Sequence, residues 1–212
     1  MAALFKSFRH LAQEFYSGKT FVAFDTETTG LKAETGFVIE IGAVKFSCGS
    51  TAFQPFDILI KPPVQLSEFI TNLTHITSTM LCGCPCAKEA LPEFLDFVGG
   101  SETVLVAHNA PFDLGFINSE LRRSSMPEMQ NTCIDTLQAS LWAYPELKNE
   151  SEKGQYRLQS LAKRFSIPVE AAHRANDDAR VCMELFRRIL SDTENRQAGF
   201  QRSSMLQKWL FT

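Results

Sequence analysis

The chain has 212 residues, of which 44% are hydrophobic and 21% are charged, with 9 prolines and 11 glycines. This composition indicates one globular domain with short appendages and excludes a disordered or low-complexity chain. The formal net charge of −3 argues against a protein that grips long nucleic-acid duplexes through a basic surface. It still permits phosphate binding at a place where metal ions supply the positive charge.

The N-terminal segment, residues 1–19, is predicted to be an amphipathic helix packed on the main domain. Apolar side chains recur at helical spacing from Phe5 to Phe15, and Gly18 ends the pattern. Charged residues interrupt this segment, so it does not resemble a secretory leader.

No stretch of the chain approaches the ~20 apolar residues of a membrane span. With six cysteines interpreted as free thiols, we expect a cytoplasmic protein without a membrane partner.

The rest of the chain alternates strands and helices. The predicted strands are Thr20 to Phe24, Phe37 to Phe46, Phe56 to Lys61, Thr103 to Ala107 and a brief Thr132 to Ile134. The predicted helices are Ala87 to Val98, Phe112 to Arg123, Asp135 to Ala143, Leu158 to Phe165 and Asp177 to Leu190. The first three strands are close enough for an antiparallel meander, so the pattern predicts an α/β fold with one mixed five-stranded sheet flanked by helices. We place this domain at residues 20–190 and a polar tail at 191–212.

Acidic residues follow two of the predicted strands and precede the last helix. Asp25 and Glu27 are two residues apart in an extended segment, so their side chains point to the same face. Asp113 ends the segment AHNAPFD, and HRANDDA carries His173 and Asp178. Mg²⁺ and Mn²⁺ prefer oxygen ligands, and two such ions ~3.5–4 Å apart clamp the attacking and leaving oxygens of a phosphodiester displacement. Four carboxylates and a histidine are the groups that this chemistry requires.

The segments FDTETTG, AHNAPFD and HRANDDA resemble, in this order, the three exonuclease motifs of the DEDDh, or DnaQ-like, superfamily. The resemblance is greatest to the proofreading (epsilon) subunits of bacterial DNA polymerase III and extends from about Phe21 to Leu190. It implies a ribonuclease H-like fold and a 3′→5′ exonuclease that releases nucleoside 5′-monophosphates from a single-stranded 3′ end. Two Mg²⁺ or Mn²⁺ ions are the implied cofactors. The spacing of five from His173 to Asp178 is typical of the histidine subclass.

The resemblance implies a role for each matching residue. Asp25 would bridge both ions, and Glu27 and Asp178 would complete the site of the attacking water. Asp113 would support the second ion. His173 would be the general base, a role that suits an imidazole because free histidine titrates near pH ~6.5.

Neighbouring residues are predicted to bind the substrate. Thr28 matches the position that contacts the terminal nucleotide, and His108 and Asn109 are expected to donate or accept hydrogen bonds around the site rather than to bind metal. Phe112 would stack on the terminal base or pack in the core. Asp177 is out of register with the motif and is predicted to be a charge at a helix N-terminus.

Three questions stay open at the level of sequence. The substrate could be DNA or RNA, and the protein could be a proofreading subunit beside a polymerase or a free-standing exoribonuclease. The ending QKWLF, Gln207 to Phe211, resembles peptides that bind the sliding clamp, but the favoured interpretation is a terminal apolar segment that packs back on its own domain. A replisome interaction module that uses this tail is therefore the second hypothesis.

Cys82, Cys84 and Cys86 lack the paired spacing of zinc sites, so we interpret them as free thiols.

Overall fold

The protein folds around one mixed sheet of five strands. A computed structural model describes the backbone of residues 12–13, 15–49, 53–150 and 153–210, and the side chains of these residues up to 194. The strands are β1 Thr20–Thr28, β2 Val38–Ser47, β3 Gln54–Leu59, β4 Val104–Ala107 and β5 Cys133–Asp135. Their order in the sheet is β3-β2-β1-β4-β5. The first three strands pair in antiparallel fashion, whereas β4 is parallel to both β1 and β5.

Helices cover both faces of this sheet. They are α1 Glu68–Thr74, α2 Ala87–Val98, α3 Ala110–Arg123, α4 Thr136–Ala143, α5 Leu158–Phe165 and α6 Ala175–Leu210, with a 3-10 helix at Pro145–Asn149. Side chains of β1 alternate between the two faces. Phe21 contributes to the apolar cluster under α4 to α6, and Phe24 contributes to the cluster under α2 and α3. The odd-numbered face of β1 continues past this core to Asp25 and Glu27.

The predicted mixed sheet of five strands and its antiparallel meander are confirmed. The bounds of α2 and α5 agree with the predicted helices, whereas β1 extends four residues beyond Phe24. Helix α1 was not predicted because its seven residues are too few to show a clear period. The helix expected to end at Leu190 continues to Leu210, since the polar residues that follow include no proline and one glycine, Gly199.

Both predicted appendages are described only in part. Residues 12–13 and 15–16 are helical, and Phe15 is buried with its ring 5.6 Å from the rings of Phe21 and Phe186. Residues 1–11 lie outside the described part of the chain. In the tail, the backbone is helical to Leu210, but the side chains of the predicted clamp-binding segment and all of Phe211 lie outside it. Among the described residues, no helix is long and apolar enough to cross a membrane.

Candidate active site

The site forms where β1 extends beyond its neighbour β4. β1 pairs with β4 only as far as Ala23, whereas its pairing with β2 continues to Thr28. The N-terminus of α3 lies beside the segment of β1 that β4 does not cover. Thr26 donates two hydrogen bonds to Oδ1 of Asp113, from its backbone N–H at 3.0 Å and from its hydroxyl at 2.7 Å. Both bonds use the same carboxylate oxygen, so Thr26 leaves Oδ2 of Asp113 unbonded.

The first turn of α6 lies against the sheet because β2 carries a glycine at the point of contact. Gly42 is the β2 partner of Asp25. A Cβ atom added at Gly42 would lie 2.0 Å from the carbonyl carbon of Ala175 and 2.1 Å from the nitrogen of Asn176. Only glycine allows this approach. It brings Asp178, in the first turn of α6, to the carboxylates of β1.

Asp178 and His173 lie on the other side of the carboxylate group. The backbone N–H of His173 donates to Oδ2 of Asp178 at 3.1 Å, and Nε2 of Gln159 donates to its Oδ1 at 2.5 Å. His173 has a left-handed backbone, with φ of 62°, and its side chain is exposed. Ligand atoms of Glu27, His173 and Asp178 all lie within 4.8 Å of one another. The structure thus gathers the five predicted site residues from β1, α3 and the start of α6.

The crowding of carboxyl groups changes their proton affinity. Burial, followed by the charges of Asp113 and Asp178, raises the pKa of Asp25 well above its ordinary value. Burial and the charge of Asp178 raise the pKa of Glu27 to about 8. Burial also raises the pKa of Asp113 to about 7 and that of Asp178 to about 6, against opposing hydrogen bonds. A bound divalent cation would favour the ionised form of all four groups.

A cavity of about 760 Å³ opens beside these residues. Asp25, His173 and Asp178 lie on one side of it, and the segment 154–160 lies on another. Such a volume, with charged groups at one side, is typical of a ligand site. The cavity therefore gives a ligand access to these carboxylates.

The predicted substrate-binding residues differ in their surroundings. His108 lines the cavity, and both ring nitrogens are bonded, Nδ1 to the Thr136 hydroxyl at 3.0 Å and Nε2 to the Tyr156 carbonyl at 2.8 Å. Burial lowers the pKa of His108, which favours the neutral ring. Asn109 is exposed at the cavity, and its side chain makes no capping bond to α3. His108 thus joins α4 to the 154–160 segment, whereas Asn109 is an exposed residue of the cavity lining.

Thr28 and Phe112 do not line this cavity in the described part of the chain. The hydroxyl of Thr28 donates to the carbonyl of Gly30 at 2.7 Å, and the ring of Phe112 packs 4.9 Å from that of Phe116. Phe112 is half-buried, so one part of its ring belongs to the core and another part is accessible.

Three side chains that support the site were not singled out from the sequence. Gln159 bonds to Asp178, and Arg174 forms an ion pair with Glu40. Their signals are weak in a sequence because each partner is distant in the chain. Asp177 was set aside as a helix N-terminal charge. It also holds the loop before His173, since its Oδ2 accepts hydrogen bonds from the backbone of Glu170 and Ala171 at 2.7 and 2.8 Å.

Comparison with known proteins agrees with this geometry. The family model RNase_T, described as "Exonuclease", matches residues 22–186. The chain belongs to this exonuclease family. It is 44% identical over 171 residues to the DNA polymerase III subunit epsilon of Treponema pallidum, which covers 81% of this chain and 76% of that subunit. The predicted DnaQ-like resemblance is confirmed, and with it the activity of a 3′→5′ exonuclease that hydrolyses nucleic acid.

Other members of the exonuclease family are more distant or much longer. A PolC-type DNA polymerase III of Caldanaerobacter subterraneus is 41% identical over 170 residues, which are 80% of this chain and 11% of that polymerase. The solved structure of exonuclease X with 5′-overhanging duplex DNA superposes with a TM-score of 0.62 and 26% identity, over 81% of this chain and 91% of that chain. A solved structure of E. coli exonuclease I superposes with a TM-score of 0.68 and 20% identity, over 92% of this chain and 44% of that chain. At this identity the similarity supports the ribonuclease H-like fold alone.

The residues present fit the metal dependence of the exonuclease family. All four acids offer oxygen ligands, which Mg²⁺ and Mn²⁺ prefer. Burial is the main cause of the raised pKa values of Asp25, Glu27 and Asp113, and repulsion by neighbouring site carboxylates adds to it at Asp25 and Glu27. A group of buried acids of this kind is suited to a divalent cation.

Metal removal should make the stability of this exonuclease depend on pH. Unfolded carboxyl groups titrate near pH ~4, whereas the folded pKa values of Glu27, Asp113 and Asp178 are about 8, 7 and 6. Since the folded pKa values are raised, the unfolded chain loses its protons first, and stability falls as pH rises from ~4 towards ~8. We expect the melting temperature in EDTA to decrease steadily between pH 5 and pH 8. Thermal denaturation at several pH values measures this, with 10 mM Mg²⁺ as the control condition that removes most of the decrease.

A metal-free protein that is more stable at pH 8 than at pH 5 would contradict this account. It would mean that the four carboxylates are stabilised by other groups and that the site does not require a cation for charge balance.

Proposed function

We propose that this exonuclease removes nucleotides from single-stranded 3′ ends of DNA as a proofreading enzyme of replication. The single observation that supports DNA and proofreading most directly is the 44% identity to an epsilon subunit, which extends over 76% of that subunit. The PolC-type polymerases, which contain a similar segment, support the same proposal. Under this proposal the protein acts in the cytoplasm beside a polymerase subunit.

We assign the binding of two Mg²⁺ or Mn²⁺ ions to Asp25, Glu27, Asp113 and Asp178. When bound, the two ions supply positive charge to the attacking and leaving oxygens of the phosphodiester. The chain's own contribution is to hold the four carboxylates at fixed positions. Thr26 holds Asp113 through two hydrogen bonds, and Gln159 and the backbone of His173 hold Asp178.

We assign general-base catalysis to His173. Its side chain is exposed at the cavity, and its ring nitrogen lies within 4.8 Å of carboxylate oxygens of both Glu27 and Asp178. From this position the imidazole can accept a proton from a water molecule that the carboxylates hold. Accessibility matters as well, because the proton must afterwards leave to solvent.

The substrate contacts are also proposals. The exposed amide of Asn109 can donate to and accept from a nucleotide in the cavity, and the accessible part of Phe112 can stack on a base. Thr28 would contact the terminal nucleotide through its backbone or methyl group, since its hydroxyl already donates to Gly30. His108 would support the cavity wall. Clamp binding through Gln207 to Phe211 stays a prediction from the sequence.

The proposed substrate is tested with matched oligonucleotides of DNA and RNA, each labelled at the 5′ end and in parallel at the 3′ end. With Mg²⁺, the 5′-labelled DNA should shorten in a ladder from its 3′ end, while the 3′ label is released first as a mononucleotide. Digestion of a primer should be faster when its terminal base pair is mismatched, since unpaired ends enter the cavity without the cost of separating two bases.

The same assay distinguishes the alternatives. An RNA strand degraded faster than the DNA strand of equal sequence would reject the proofreading proposal in favour of a free-standing exoribonuclease. Equal rates on matched and mismatched primers would reject proofreading while leaving exonuclease activity intact.

A further inference from the structure

A fully buried acid lies next to the metal-binding carboxylates without belonging to them. Glu40 on β2 has an exposure of 0%, and it is the β2 partner of Glu27. A carboxylate at such a position costs several kcal/mol unless hydrogen bonds and an opposite charge compensate it. The site's own chemistry does not require Glu40, so its buried position at the edge of the site points to another role.

Glu40 is held mainly by the segment that follows His173, and Asp57 on β3 lies beside it. Arg174 donates from Nη2 to Oε1 at 2.5 Å, and from Nε to Oε1 and Oε2 at 3.0 and 3.2 Å. The backbone N–H of Ala175, the first residue of α6, donates to Oε2 at 2.8 Å. A guanidinium group that donates several hydrogen bonds to one carboxylate fixes the orientation of the two side chains as well as the distance between them. It attaches both a side chain and the start of a helix to β2.

His173 lies immediately before this attachment. Its left-handed backbone, with φ of 62°, is a conformation that non-glycine residues adopt at a cost of ~1 kcal/mol or more. On its other side, Asp177 holds the backbone of Glu170 and Ala171. Hydrogen bonds thus hold the loop that carries His173 on both sides of this residue. We expect the orientation of the His173 ring to depend on them.

We propose that the Arg174–Glu40 ion pair is a positioning device for His173. It holds the imidazole in the direction from which it reaches the water at Glu27 and Asp178. This inference rests on the proposed role of His173 as general base. Arg174 itself touches neither substrate nor metal in this assignment. Its charge also acts on Glu27, so Arg174 and Glu40 are removed together and the Mg²⁺ dependence is measured alongside the rate.

The test is a double-mutant cycle between the ion pair and His173. The pair is removed by Glu40→Gln together with Arg174→Met, because glutamine leaves no buried charge and can still accept from Ala175. The second variant is His173→Ala, and the third combines all three changes. We expect the pair variant to lower kcat by about 10- to 100-fold, the scale of a displaced general base. KM for single-stranded DNA and the Mg²⁺ concentration for half-maximal rate should change by less than about twofold, since substrate and metal ligands remain.

The decisive comparison is made in the His173→Ala background. If the pair acts through His173, removing it there causes no further loss of kcat. If the losses multiply, or if the Mg²⁺ dependence shifts strongly, the pair supports the fold or the metal site instead and the proposal is wrong. Arg122→Met, which breaks an exposed ion pair with Glu128, is the matched control and should leave all these quantities unchanged.

The cycle also separates this inference from the proposed function. If His173→Ala keeps nearly full kcat, the general-base assignment fails, and positioning fails with it. If His173→Ala is nearly inactive but the pair variant is not, the assignment stands and only the positioning role is rejected.

Discussion

Replacement of Asp25 with asparagine should abolish exonuclease activity and, in the same protein, raise the stability of the metal-free form. The amide has the shape of the carboxylate but cannot supply the negative charge that a divalent cation requires. We expect the rate with Mg²⁺ to fall by at least about 1,000-fold, the scale seen when a member of a catalytic unit is removed. The rate is measured by digestion of a 5′-labelled DNA oligonucleotide.

The stability change has the opposite sign because of the crowding at Asp25. Burial and the charges of Asp113 and Asp178 raise its pKa, so in the metal-free protein this acid opposes folding at a pH where the unfolded chain is ionised. We expect the melting temperature to rise, and a gain of ~1 kcal/mol would raise it by roughly 2–4 °C in a domain of this size. Thermal denaturation in EDTA at pH 8 measures it.

The matched control is Asp96→Asn, the same chemical change at an exposed position on α2. It should alter neither the rate nor the melting temperature. An Asp25→Asn protein that melts below the wild type in EDTA would show that Asp25 stabilises the fold, contrary to the repulsion inferred from its surroundings.

Replacement of Gly42 with alanine should inactivate the enzyme by moving a helix rather than by removing a functional group. The added Cβ would lie 2.0 Å from backbone atoms of Ala175, a distance that no side-chain rearrangement can relieve. Helix α6 must then move away from β2, and Asp178 and His173 move with it. We expect a loss of at least about 100-fold in activity, since displacements of ~1 Å at a catalytic group have this effect.

The same clash should lower the free energy of unfolding by about 2–4 kcal/mol, as overpacking against backbone does. Denaturant titration measures this change. Gly115→Ala is the matched control, because a Cβ there meets only the Cβ of Ala33 at 3.8 Å and the position is helical. It should keep activity and raise stability by about 0.5–1 kcal/mol. If the two variants behaved alike, the contact of Gly42 with α6 would not be the determinant of the site.

The candidate site residues could be chosen from the sequence by itself. Asp25 and Glu27 are two residues apart in a strand, and alternation in an extended chain is a local property, so their shared face follows without tertiary structure. The spacing of His173 and Asp178 is equally local, since one turn of chain determines it. These motifs, with Asp113, were sufficient to predict the family and the class of reaction.

What only the tertiary structure decided is how these residues are brought together and held. The approach of α6 to the sheet depends on a missing side chain at Gly42, more than 130 residues before the helix. The compensation of Glu40 by Arg174 likewise joins residues 134 positions apart. Contacts of this kind produce no periodic pattern in a sequence, because they depend on the packing of elements that are distant in the chain. The residue types that the reaction needs could therefore be identified from short segments of the sequence. Their arrangement in space could not, because it depends on contacts between distant segments.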